Sequence, residues 1–175
     1  MNNLAELLAT SGVAGRDDRQ ARLPDGAKLV YLHAGQLFVS AEPAQITTVL
    51  GSCVAVCLYD PMAEVGGMNH YMLPNDLGSN CQTPRYANFA IMQLIDRLLA
   101  LGAEHRRLQA KLFGGACVLS SFQGSGNDLG SKNIEVARRR LEAERIPVLA
   151  EDLGGNHGRR LVFRTDTGLA LTKRV

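Results

Sequence analysis

Apolar positions in this chain fall mostly into short runs, with two longer stretches at helical spacing. Leu29-Val30-Tyr31-Leu32 and Gln36-Leu37-Phe38-Val39, parted by Ala34-Gly35, predict two strands. Ile46–Leu50 predicts a third, in which Thr47 and Val49 point one way and Thr48 the other. After the turn Gly51-Ser52-Cys53, the unbroken run Val54-Ala55-Val56-Cys57-Leu58-Tyr59 predicts a fully buried strand closed by Asp60-Pro61. Val65–Leu73 is extended again and ends at Pro74. Between 86 and 101, Phe89, Ala90, Leu94, Ile95, Leu98 and Leu99 share one helical face, and Gly102 closes the helix. Lys111-Leu112-Phe113 predicts a strand running into Gly114-Gly115, and residues 131–145 predict a second helix with Ile134, Ala137 and Leu141 inward. A strand over 146–150 and a hairpin of Leu161–Phe163 with Leu169–Leu171, joined by Asp166-Thr167-Gly168, complete the pattern.

Many strands with two principal helices, in no strict alternation, predict an α/β layered fold with mixed or antiparallel sheets. At 175 residues the chain is long enough for one domain with its own core. The compact part is expected from residue 28 to 175. Residues 1–27, where Leu4, Leu7 and Leu8 precede a polar Gly/Asp/Arg stretch, are expected to form an N-terminal arm.

Composition narrows the function. A net charge of +2, no Trp and 5% aromatic residues argue against a nucleic-acid surface. No apolar run has the length of a membrane span or a leader, so a cytoplasmic location with no membrane insertion is expected. In that compartment Cys53, Cys57, Cys81 and Cys117 should be thiols. They form no C-x-x-C pair and the histidines no H-x-x-x-H, so neither a metal nor any other cofactor is expected. The glycine pairs lack the spacing of a phosphate loop.

Candidate chemistry lies at Cys53 and His70. A thiol on a glycine-serine turn, with a histidine in the next extended segment, is the minimum for nucleophilic catalysis. The competing reading is a buried structural cysteine, which Cys57, inside the apolar run, fits better. An activated thiol needs a lowered pKa, and backbone N–H groups of the turn could bind an oxyanion. Thr47 and Thr48 are the nearest hydroxyls able to orient the ring.

These residues, in order, resemble a known family. Leu50-Gly51-Ser52-Cys53, Tyr59-Asp60-Pro61, Gly67-Met68-Asn69-His70, Leu73-Pro74, Lys111–Ala116, Gly130-Ser131-Lys132-Asn133, Glu151–Gly155 and Gly158-Arg159-Arg160 are similar to the CheD family of chemoreceptor glutamine deamidases. The resemblance runs from residue 28 to 173. It implies two packed sheets flanked by helices, Cys53 as nucleophile, His70 as acid-base group and Thr47 as its support. It also implies hydrolysis of receptor glutamine amides to glutamate, with chemoreceptor helices as partners and, in some members, a CheC-type phosphatase. A non-catalytic adaptor that docks on receptors or on such a phosphatase is the alternative; a cysteine peptidase or transglutaminase would share the dyad.

Overall fold

The computed structural model describes residues 23–75, 83–117 and 128–175. The expected arm falls almost wholly outside them, as does Cys81. Among the described residues, nine strands form two sheets: β1 (Lys28–Tyr31), β2 (Gln36–Ser40), β3 (Ala44–Leu50), β4 (Val54–Asp60), β5 (Val65–His70), β6 (Gln109–Gly114), β7 (Val148–Leu153), β8 (Arg159–Arg164) and β9 (Ala170–Arg174). Two helices, α1 (Ala87–Ala100) and α2 (Leu129–Ala143), complete the described fold, with a 3-10 turn at His105–Arg107. The four-stranded sheet runs β1-β3-β8-β9 and the five-stranded sheet β2-β5-β4-β6-β7. Both are mixed: β1 with β3 and β6 with β7 are parallel, and the other pairs are antiparallel.

The layers follow from strand periodicity. β4 is apolar on both faces because both are covered. Its Val54, Val56 and Leu58 pack with Ile91, Leu94, Leu98, Ala137 and Leu141 of the helices. Its Ala55 and Cys57 face the other sheet and pack with Ile46, Leu50, Leu161 and Phe163. The order is therefore four-stranded sheet, five-stranded sheet, helices. Each large apolar helix side chain removed from water here contributes about 1.5–3 kcal/mol before entropy is counted.

The second helix starts earlier than its apolar spacing suggests. Asp128 caps it, accepting from the Ser131 N–H at 3.0 Å, and the chain leaves it at Arg145, whose φ is 56°. Such a cap is worth about 1 kcal/mol.

Candidate active site

The site is built where three strands end on the inter-sheet layer. Alternation along β3 puts Ile46, Thr48 and Leu50 inward; Ile46, Thr48 and Leu50 are each 0% exposed. Thr47 is half-buried and Val49 exposed on the outer face, where Thr47 pairs with Val162 of β8. Along β5, Met68 faces the same layer as Ile46, so His70, two residues on, faces it too.

His70 is 5% exposed, and its Nδ1 lies 2.9 Å from the Thr48 hydroxyl. That hydroxyl has a single proton, and it is donated to the Leu32 carbonyl at 2.7 Å. Thr48 therefore accepts from His70 Nδ1–H, and in the neutral ring the lone pair is on Nε2. The resemblance implied Thr47 for this support. The hydroxyl beside the ring is that of Thr48, whereas Thr47 has the opposite strand parity.

The β4–β5 register relates Cys53 to His70. Val54 and Tyr71 exchange backbone hydrogen bonds of 3.2 and 3.0 Å. Ala55 thus stands opposite His70, and Cys53, on the same face as Ala55, is its diagonal neighbour. Diagonal positions in an antiparallel pair lie about 7–8 Å apart, within reach of an imidazole. Cys53 is half-buried, whereas Cys57 is 1% exposed inside the core.

The turn that carries Cys53 is clamped by backbone and side-chain hydrogen bonds. The Gly51 carbonyl accepts from the Ala116 N–H and the Cys53 carbonyl from the Gly115 N–H, both at 2.8 Å. The Ser52 carbonyl accepts from Asn133 Nδ2 at 3.0 Å. Gly114 has φ 109°, and a Cβ there would stand 2.2 Å from the Cys53 carbonyl oxygen. The Gly114 carbonyl is in turn held by the Gly154 N–H at 2.9 Å and by buried Arg159 at 2.7 Å.

The electrostatics also depart from expectation. Burial pushes the Cys53 thiol above its ordinary value of 9.0, and its own backbone N–H pulls it back only in part. Burial likewise holds His70 below 6.5; the Leu32 carbonyl opposes this and His33 adds to it. Both directions favour a thiol and a neutral imidazole at neutral pH, whereas an activated thiol was expected to have a lowered pKa. Burial drives the Cys57 thiol far upward, which suits a core side chain. Among the described residues no three His, Cys, Asp or Glu side chains gather as a metal site. No described helix is long and apolar enough to cross a membrane.

His105, its side chain 42% exposed, contacts Glu144 at 3.1 Å. Sequence alone offered Thr48 beside Thr47 as a support for the ring, but it gave no role to Tyr71 or to Asn133, although Asn133 stands inside a quoted motif. An open groove lined by Tyr31, Leu32, Gln36, Phe38, Pro84 and Arg97 includes the residue whose carbonyl holds Thr48.

A cysteine, a neutral imidazole with its tautomer fixed, and a hydroxyl support, set between two packed mixed sheets, have the parts needed for nucleophilic acyl chemistry. Residues 72–174 match the family model described as CheD chemotactic sensory transduction. A probable chemoreceptor glutamine deamidase from Anaeromyxobacter dehalogenans is 49% identical over 150 residues, covering 86% of each chain. Relatives of the same description from Sulfurimonas denitrificans (44% identical, 83% of this chain and 93% of that one) and Trichlorobacter lovleyi (47%, 82% and 89%) agree. This chain belongs to the CheD family. Among solved structures, the Neisseria meningitidis protein NMB0706 overlaps with a TM-score of 0.40 at 12% identity, over 75% of this chain and 64% of that one.

Proposed function

We propose that the protein is a cysteine hydrolase that deamidates glutamine side chains of chemoreceptors, with Cys53 as nucleophile, His70 as acid-base group and Thr48 as the ring's support. The observation that carries the residue assignment is the hydrogen-bond relay Leu32 carbonyl–Thr48–His70 Nδ1, which engages Nδ1 and so makes Nε2 the ring's proton-accepting atom. The chemoreceptor substrate rests on the description of the relatives.

The reaction follows from the neutral resting pair. As the Cys53 sulfur attacks the glutamine amide carbon, His70 Nε2 takes the thiol proton, so charge develops only along the reaction path. The oxyanion is met by backbone N–H groups of the turn, whose carbonyls are already engaged on the far side. The imidazolium, made acidic by burial, gives its proton to the departing nitrogen, and ammonia leaves. Water then loses a proton to the same Nε2 and attacks the thioester. The carbon–sulfur bond breaks, Cys53 recovers its proton, and the product is glutamate.

Mass spectrometry of a receptor cytoplasmic fragment co-expressed with the chain tests this. A glutamine gaining about 1 Da, as amide-to-acid conversion requires, with no peptide cleavage, is expected. The shift should disappear with Cys53→Ala. An unchanged receptor, bound but not converted, would support an adaptor instead.

A further inference from the structure

One quoted motif, Gly130-Ser131-Lys132-Asn133, has no part in the chemistry above, yet its asparagine reaches the nucleophile turn. Asn133 is 0% exposed on the first turns of α2. Its Nδ2 donates to the Ser52 carbonyl at 3.0 Å and to the Met72 carbonyl at 2.9 Å. Both partners can only accept, which fixes the orientation of the amide. Its Oδ1 is buried without a partner among the described residues.

The two carbonyls belong to the two chains that carry the reacting groups. Ser52 precedes Cys53, and Met72 stands opposite Cys53 in the register, two residues past His70. The last reciprocal rung between these chains is Val54–Tyr71. Beyond it they part: Met72 N–H and Leu73 N–H turn to the Arg85 carbonyl, and the Cys53 carbonyl turns to Gly115. The Asn133 fork spans the gap.

The fork is itself held. The Tyr71 hydroxyl donates to the Asn133 carbonyl at 2.7 Å. The start of α2 lies against the loop behind Cys53 so closely that a Cβ on Gly130 would stand 2.4 Å from the Gly115 oxygen.

We propose that Asn133 is a positioning residue for the Cys53–His70 reaction, setting the distance between nucleophile and base by bonding both chains past their last rung. This rests on the assignment of those two residues above. Its two donors are the point: alanine has none, serine has one, and small misplacements of a nucleophile carry large losses in turnover.

The test is steady-state ammonia release from a receptor fragment by Asn133→Ala, Asn133→Ser, Ala137→Gly and Cys53→Ala. Ala137→Gly loosens the same helix without touching the fork and serves as the stability control. Asn133→Ala is expected to lose at least about tenfold in kcat with KM within about twofold, and Asn133→Ser to fall between it and the unaltered protein. Ala137→Gly should keep its kcat even at a comparable fall in Tm. If the alanine variant does not fold, the serine variant is read in the same way. Unaltered kcat in a folded Asn133 variant, or an equal kcat loss in Ala137→Gly at equal Tm, overturns the proposal while Cys53→Ala remains dead. An active Cys53→Ala overturns the nucleophile assignment beneath it.

Discussion

Thr48 and His70 are joined side chain to side chain at 2.9 Å across the two sheets, and Thr47, one residue earlier, is turned to the opposite face. The pair is buried, so its only hydroxyl proton is committed to Leu32 and its acceptor site to the ring. Thr48→Ala should lower turnover by roughly one to two orders of magnitude, since orientation is degraded while the ring remains. Thr47→Ala should stay within about twofold. The double variant Thr48→Ala/His70→Ala should match His70→Ala alone, because a support matters only when the ring is present. Single-turnover ammonia release for the four variants decides it, and a larger loss in Thr47→Ala than in Thr48→Ala would restore the family-based assignment.

Thiol alkylation reports the resting state of Cys53. With burial raising its pKa, the rate of iodoacetamide labelling should climb with pH and inflect above 9.0. Cys57, inside the core, should label only on unfolding. His70→Ala should leave the Cys53 inflection nearly in place, because a neutral imidazole was not holding a thiolate there. An inflection below pH 8 that moves upward in His70→Ala would establish a preformed ion pair instead.

His70 also links stability to pH. Its folded pKa is held below 6.5, chiefly by burial, so above 6.5 the ring is neutral both folded and unfolded. As pH falls through 6.5 the unfolded chain takes up a proton that the folded chain resists, and stability declines until the folded pKa is passed. The coulombic influence of His33 deepens the depression. Thermal unfolding between pH 8 and pH 5 should therefore show a decline that is shallower in His70→Gln. The acid limb of kcat/KM should inflect below 6.5 for the same reason. A decline as steep in His70→Gln would assign it to other groups.

Much of this was legible in the sequence because period and burial are simply related. The unbroken apolar run at Val54–Tyr59 became a strand covered on both faces, and the Asp166-Thr167-Gly168 turn joined β8 to β9. The threonine at the ring was only half legible: Ile46 and Leu50 share the parity of Thr48, but apolar Val49 shares that of Thr47, and burial alone separates the two faces. Motif resemblance pointed to Thr47 by spacing from Cys53, and spacing does not carry strand parity through a turn. Asn133 was invisible for another reason. Its partners are the backbone of Ser52 and Met72, distant in sequence, and backbone acceptors leave no residue-type signal. The raised Cys53 pKa depends on burial between layers, which no local pattern encodes.

Gly114 ties these threads together beside the turn that carries Cys53. Its φ of 109° lies where a side chain is strained, and an added Cβ would stand 2.2 Å from the Cys53 carbonyl oxygen. The oxygen cannot yield easily, since the Gly115 N–H holds it at 2.8 Å. Gly114→Ala must therefore either break that bond or push the turn, and Cys53 moves with it. The variant should lose more than about 2 kcal/mol of stability, from left-handed strain and the steric conflict together, and most of its turnover. Gly154→Ala is the matched control: its φ is 71°, but nothing lies within 4 Å of the new Cβ. It should cost only about 1–2 kcal/mol and keep its turnover. Urea unfolding gives the stabilities and single-turnover ammonia release the activities. If Gly114→Ala, folded and below its unfolding temperature, turns over as fast as Gly154→Ala, then the backbone behind Cys53 does not set the position of its sulfur.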